Sequence, residues 1–259
     1  MKIKVCTFNL RCDTEKDGIN SFTGRRELIR REFPKYGADV IGFQEVLPHM
    51  HRWLAENLTG YTVVGTGRDV NRSGEETCIA YRTDMFDLVG MDTFWLSDTP
   101  RVPGSRYGTD QSKYPRICTA AVLITREERK ILRVYNTHLD HVGPVARAQG
   151  ISAVLSRIEE DESVYPNTPV VLTGDLNDTP DALAIQSITA FRDGMLRDIA
   201  ADVGPTLHLY HPENTEKYIK IDYIFTNAHR GEMEATCLTD VENGVYFSDH
   251  YPVLGEIEI

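Results

Sequence analysis

The chain has 259 residues, 41% of them hydrophobic, with no short repeat and no low-complexity or single-charge block. That is the profile of one globular α/β domain spanning residues 1–259. Its 39 acidic against 28 basic residues give a net charge of −11, so the average surface repels duplex DNA and acidic membranes and weighs against a non-specific nuclease. No run approaches membrane-spanning length, and Met1-Lys2-Ile3-Lys4-Val5 alternates charge with apolar groups where a secretion signal would be continuously apolar. The expectation is a cytoplasmic monomer with no leader and no membrane insertion.

In chain order, residues 4–10 read as a strand ending at Asn9. Over residues 25–36, Leu28, Ile29, Phe33 and Tyr36 fall at helical spacing, and residues 40–44 form a second strand followed by Glu45. A βαβ unit is the natural inference. Helical spacing resumes over 49–58. Residues 61–64, 77–81 and 86–95 then look like short strands bounded by Gly, Asp and Asn, and together suggest an antiparallel meander. Residues 97–116 are rich in turn residues and bases, and Arg68, Arg72, Arg101, Arg106, Lys113 and Arg116 are dense enough to form a local basic rim. Read structurally, this stretch is an ordinary loop; read functionally, it recognises substrate through Arg116, adjacent to a strand, in preference to Arg106.

Residues 117–125 and 132–137 are strands, the second running into His138, Asp140 and His141. Residues 148–158 fill one helix face, and the buried strand 170–173 leads into Gly174-Asp175-Leu176-Asn177, after which Asp178 could cap a helix starting near Pro180. Asp222 lies in a strand over 219–225. Ser248-Asp249-His250 precedes a last strand over 253–259. Alternation of this kind buries two sheets face to face between helical layers and gathers polar groups at one sheet edge.

Each polar group also has a bland reading. Asp175 and Asn177 could form an Asx turn, and His138 could be a satisfied core histidine. Asp140 and His141 could supply extra phosphate or sugar contacts, or could cap the helix that begins near Pro144. His49, His51, His208, His211 and His229 lack functional context and read as surface residues. Cys6, Cys12, Cys78, Cys118 and Cys237 are odd in number and share no CxxC spacing, which fits reduced core residues.

Taken as a set, Asn9, Glu45, Asp175, Asn177, Asp222 and Asp249 offer oxygen and no thiolate, the donor chemistry of magnesium or manganese. His138 and His250 add groups that can hydrogen-bond a phosphoryl oxygen or protonate a leaving alkoxide. Metal, carboxylate and imidazole together describe phosphate-ester hydrolysis.

Six motifs carry a family resemblance: Thr7-Phe8-Asn9-Leu10, Gln44-Glu45, Asn136-Thr137-His138-Leu139, Gly174-Asp175-Leu176-Asn177, Ile221-Asp222-Tyr223-Ile224 and Ser248-Asp249-His250. In this order the chain resembles the endonuclease/exonuclease/phosphatase superfamily over nearly its whole length. The resemblance implies a four-layer α/β sandwich, two mixed or antiparallel sheets packed face to face and flanked by helices. It implies Glu45 as the main ligand of Mg2+ or Mn2+, with Asn9 and Asp249 beside it, and Asp175 as the base acting on water. Asn177 would hold the nucleophile or a phosphate oxygen, His138 and His250 would flank the phosphoryl group, Asp222 would orient His250, and Glu75, one residue from Glu76, would partner His138. Glu75, Arg116 and Asp140 are the candidate substrate contacts.

Substrate class is less legible, because every phosphate ester presents the same reacting atom. The acidic charge favours a small phosphorylated molecule, cleaved as a monoester or diester by in-line attack of water. A nuclease acting on RNA or single-stranded DNA is the alternative. An inactive binding scaffold is disfavoured because every site group is present.

Overall fold

The computed structural model describes residues 1–211, 213 and 218–259. Two parallel βαβ units form its skeleton. In the first, β1 (Lys2–Asn9) and β2 (Val40–Gln44) lie parallel and are joined through α1 (Phe22–Glu32). The predicted helix over 25–36 is therefore cut at residue 32, where Phe33–Tyr36 tightens into a 3-10 turn around Pro34, which lacks the amide proton an α-helix needs. α2 (Pro48–Asn57) follows, then β3 (Tyr61–Val64) and β4 (Ile79–Arg82), which extend this sheet in the order β2-β4-β3.

β5 (Phe86–Trp95) leaves that sheet and starts the other one, pairing with β6 (Ile117–Thr125), so the expected meander is divided between two sheets. The second parallel unit is β7 (Ile131–His138), α3 (Pro144–Glu162) and β8 (Val170–Asp175). α4 (Leu183–Ala190), β9 (Arg197–Asp198) and β10 (Asp222–Thr226) complete this half, with strand order β5-β6-β7-β8-β10-β9. The strand expected over 219–225 thus starts at Asp222, because Ile219 bridges to Leu207 instead. Asp178 caps nothing; it pairs with Arg147 at 2.9 Å.

Four short strands, β11 (His229–Arg230), β12 (Thr236–Cys237), β13 (Val241–Glu242) and β14 (Val245–Tyr246), precede β15 (Val253–Glu258), which pairs antiparallel with β1. Three apolar clusters match the layers: α1 and α2 on the outer face of the first sheet, α3 and α4 on the outer face of the second, and Val5, Val40, Val134, Val171 and Ile224 between the sheets. This is the α/β/β/α sandwich that the resemblance implies. Cys6, Cys78 and Cys118 are buried thiols within it. Among the described residues no helix is long and apolar enough to cross a membrane.

The inter-sheet layer turns polar at one end. Gln44 Nε2 donates to Asn136 Oδ1 at 2.7 Å and to Thr7 Oγ1 at 3.2 Å, while Asn136 Nδ2 donates to the carbonyls of Phe43 and Cys78 across the gap. Gly42 makes that approach possible, since a Cβ there would lie 2.1 Å from Thr173 Oγ1 and 2.6 Å from Asn136 Oδ1.

His208 corrects an expectation: it is buried, stacked on Tyr251 with ring centroids 4.0 Å apart. Burial and the nearby His250 charge lower its pKa to about 4. An unfolded chain takes up this proton near its ordinary value of about 6.5, before the folded one does, so the neutral ring stabilises the fold above pH ~6.5 and that contribution drains away as pH falls toward 4. We expect a loss of about 3 kcal/mol across this window in urea melts, and a flatter profile in His208→Phe. An unchanged slope in the variant would remove His208 as its source.

Candidate active site

The carboxyl ends of both parallel pairs open on the same edge. Asn9 closes β1 and Glu45 follows β2; His138 and Asp175 close β7 and β8 as register partners. Asp222 begins β10 opposite Asp175, and Ser248-Asp249-His250 leads into β15. Six sequence segments thus converge on one edge, and Glu45, His138, Asp175, Asp249 and His250 line a cavity there of about 300 Å³, at the lower end of small-molecule sites. Four of its residues, Arg11 (φ 55°), Glu45 (φ 60°), Asn177 (φ 50°) and Leu209 (φ 53°), adopt left-handed backbone, a strained conformation for all but Asn.

One wall is acidic. Glu45 Oε2 accepts from the Cys12 amide at 2.9 Å, and Asp249 lies 3.5 Å from Arg11. Burial raises the Glu45 carboxyl, but the Cys12 amide, His250 and Asn9 outweigh it and hold its pKa below the ordinary value. Asp249 goes the other way, raised by burial and by the charge of Glu45. Ligand atoms of Glu45, His138 and Asp175 lie within 4.8 Å of one another. Two carboxylates this close, offering hard oxygen donors, suit a divalent cation such as magnesium or manganese. Asn9 differs from the expected ligand: its Nδ2 donates to Glu45 Oε1 at 3.1 Å and Asp175 Oδ2 at 2.9 Å, and its oxygen accepts the Arg11 amide. It spaces two carboxylates and does not present oxygen to the cavity.

At the centre, Asp175 Oδ1 accepts the Asn177 amide at 3.0 Å, and Oδ2 lies 3.5 Å from His138 Nε2 and 3.9 Å from His250 Nε2. Burial, reinforced by the charge of Asp222, pushes the Asp175 pKa up to about 7 against the pull of His250. The pH at which a carboxylate can both lose and regain a proton is thereby brought to neutrality. Asp222 Oδ2 meets His250 Nδ1 at 2.9 Å and also accepts from Thr206. Burial disfavours the His250 cation, but Asp222, Asp175 and Asp249 outweigh it and push its pKa up to about 10, so it stands as an imidazolium. His138 is held neutral, its pKa well below the usual value through burial and the charges of Arg116 and Arg68. Asn177 spends one amide proton on the Leu139 carbonyl at 3.0 Å.

The opposite wall is basic. Arg68 and Arg116 are both buried beside His138. Glu75 belongs here, but it forks onto Arg68 at 2.8 and 2.9 Å and is not the partner expected for His138, whose contact is Asp175. The local string gave no means of choosing, since Glu76 turns away to His51 at 2.6 Å. Asp140 also departs from the substrate-contact reading: its carboxylate accepts the amides of Ser112, Val142 and Gly143 and anchors a loop. Arg11 and Tyr114, which also line the cavity, carried no sequence motif.

Residues 6–250 match the profile described as the Endonuclease/Exonuclease/phosphatase family. Similar solved structures include an endonuclease/exonuclease/phosphatase from Bacteroides vulgatus, 29% identical with TM-score 0.91, covering 100% of this chain and 99% of that one. A mannosyl-6-phosphatase from Bacteroides thetaiotaomicron is 29% identical with TM-score 0.87 and coverage of 99% and 100%. TDP2 from D. rerio, complexed with single strand DNA product, shares the fold at 17% identity, TM-score 0.76 and coverage of 100% and 99%. Among curated proteins none matches the chain.

Proposed function

The chain belongs to the endonuclease/exonuclease/phosphatase family, and from that premise we propose that it hydrolyses the phosphate monoester of a small molecule with a divalent cation, Mg2+ or Mn2+, as cofactor. The observation that carries this reading is the pair of buried guanidinium groups, Arg68 and Arg116, facing the acidic wall across one cavity. A monoester brings a dianionic phosphoryl group with three terminal oxygens; a diester brings one negative charge. Arg68 and Arg116, each already facing one carboxylate (Glu75 and Asp140), still offer further N–H donors, and with the His250 imidazolium they suit the three terminal oxygens of a monoester. The likeness to a mannosyl-6-phosphatase over the full chain supports the same substrate class.

Glu45 and Asp249 would hold the cation, which when bound would supply positive charge to stabilise the developing negative charge of the reaction. Asp175, poised near neutrality, takes the proton of the attacking water. Asp222 fixes His250 through Nδ1, so Nε2–H faces the reacting group and stabilises charge there. Arg116 and Arg68 hold the phosphate so that water attacks in line with the leaving oxygen.

The test is hydrolysis of p-nitrophenyl phosphate, bis-p-nitrophenyl phosphate and single-stranded RNA with magnesium, manganese or chelator. We expect metal-dependent turnover with kcat/KM about 100-fold higher on the monoester than on the diester, and a loss of about 10- to 100-fold on the monoester in Arg116→Ala. Preference for the diester or for RNA would replace this reading with a phosphodiesterase or a nuclease.

A further inference from the structure

The loop between β5 and β6 ends at Arg116, and the turn after β7 grips it from below. Asp140 holds the loop through the Ser112 amide at 3.1 Å, and Asp110 reaches over to the first amides of α3, Val145 at 3.0 Å and Ala146 at 2.8 Å. Arg116 lies against two consecutive residues of that turn: Nε is 3.6 Å from Asp140 Oδ2 and Nη2 is 2.9 Å from His141 Nδ1. A guanidinium has five N–H donors and no lone pair to offer, so Arg116 donates and His141 Nδ1 accepts. The ring is thereby fixed in one tautomer, with its proton on Nε2. Burial and the Arg116 charge hold the His141 pKa below its ordinary value, which agrees with a neutral ring.

His141 lines the same cavity as the catalytic groups, yet it is exposed where His138 and His250 are buried. Its Nε2–H has no hydrogen-bond partner among the described residues. Tyr114 stands beside it with ring centroids 6.2 Å apart, and Arg68 packs 4.7 Å from the Tyr114 ring centre. On the monoesterase reading the phosphoryl oxygens take the buried part of the cavity, beside Arg68, Arg116, His138 and His250. What projects past them to an exposed residue at the mouth is the leaving group.

Resting on the monoesterase reading, we propose that His141 is the specificity-determining residue of a leaving-group subsite, donating its Nε2–H to a hydroxyl oxygen of a polyhydroxylated alcohol while the Tyr114 ring forms the adjoining wall. Arg116 then has two tasks, holding phosphate and fixing the proton on the ring that reads the alcohol. The site discriminates through a donor that an aryl phosphate leaves unpaired.

The experiment compares wild type, His141→Ala and His141→Gln on a hexose 6-phosphate and on p-nitrophenyl phosphate, which has no hydroxyl. The readout is the ratio of the two kcat/KM values, which cancels misfolded fraction and any shared loss at the phosphate. One neutral hydrogen bond corresponds to a drop of about three- to tenfold in that ratio for His141→Ala, appearing in KM for the sugar phosphate. His141→Gln, which retains an N–H donor at the same reach, is expected to recover most of it. A ratio unchanged in His141→Ala, with an active wild type, overturns the inference alone and leaves the monoesterase reading standing. A wild type that cleaves diesters and neither monoester overturns both.

Discussion

Asp175→Asn is expected to lower kcat by about 10³-fold or more while leaving manganese affinity within about threefold of wild type. The argument rests on where Asp175 sits. It closes a strand of the sheet opposite Glu45, and although an oxygen of each lies within 4.8 Å, the Asp175 carboxylate is flanked by two imidazoles at 3.5 and 3.9 Å and is raised to about 7, surroundings that suit a proton acceptor better than the main cation ligand. Asn at this position keeps one acceptor oxygen, for the Asn177 amide or for Asn9 but not both, and it cannot take a proton. Glu45→Gln is expected to differ, weakening manganese binding by at least about tenfold and losing activity in consequence. Titration calorimetry with manganese, alongside turnover at saturating metal, separates the two. Equal metal affinity in both variants would sink the division of labour between base and ligand.

The second large effect is on stability. Arg25 is fully buried in α1 and donates to four backbone carbonyls: Asn20 at 2.6 Å, Leu10 at 2.7 Å, Phe247 at 2.8 Å and Arg11 at 3.0 Å. These carbonyls come from the turn before α1, from the segment after β1 and from the segment before Asp249, none of which finds a partner in a sheet there. Arg25→Met keeps most of the apolar stem but leaves three acceptors without donors, Asn20 O alone keeping the Tyr210 hydroxyl at 3.4 Å, and we expect a loss of about 3–5 kcal/mol in urea denaturation. Arg25→Lys is expected to recover less than half of that, because a single ammonium cannot span acceptors spread around a planar fork. A loss below about 1 kcal/mol for Arg25→Met would mean that water replaces the guanidinium.

Arg25 also marks the limit of what the sequence displays. Its place beside Arg26 on a charged helix looks like that of any exposed arginine, because nothing local shows that the carbonyls of Leu10 and Arg11, and of Phe247 222 residues away, converge on it. Strand-end groups were legible for the opposite reason: an apolar run that stops at Asn9, Glu45, His138 or Asp175 announces both its strand and the edge where the side chain emerges. The two parallel pairs then place all four at carboxyl ends without further information. Choices between neighbouring carboxylates were not legible. Glu75 and Glu76 differ by one position on an extended segment, so they face opposite ways, and which of them meets Arg68 depends on the pairing of Val46 with Glu76. His208 was misplaced because aromatic partners scattered at Tyr246 and Tyr251 bury it, and no local periodicity records that. The division of residues 61–95 between two sheets follows from pairing partners far along the chain, β2 for β4 and β6 for β5.

The amide bridge of Gln44 and Asn136 stands between halves that contribute different parts of the proposed reaction. The first sheet brings Glu45 and Asp249, and the second brings His138, Asp175 and Asp222. Oily contacts between sheets tolerate sliding by an ångström at little cost, and a slide that small would separate the acidic wall from the base with every strand still folded. Directional bonds from Gln44 to Asn136, and from Asn136 to the carbonyls of Phe43 and Cys78, act as an alignment pin. The enzyme can therefore lose its activity through misalignment alone, a failure that circular dichroism would not detect.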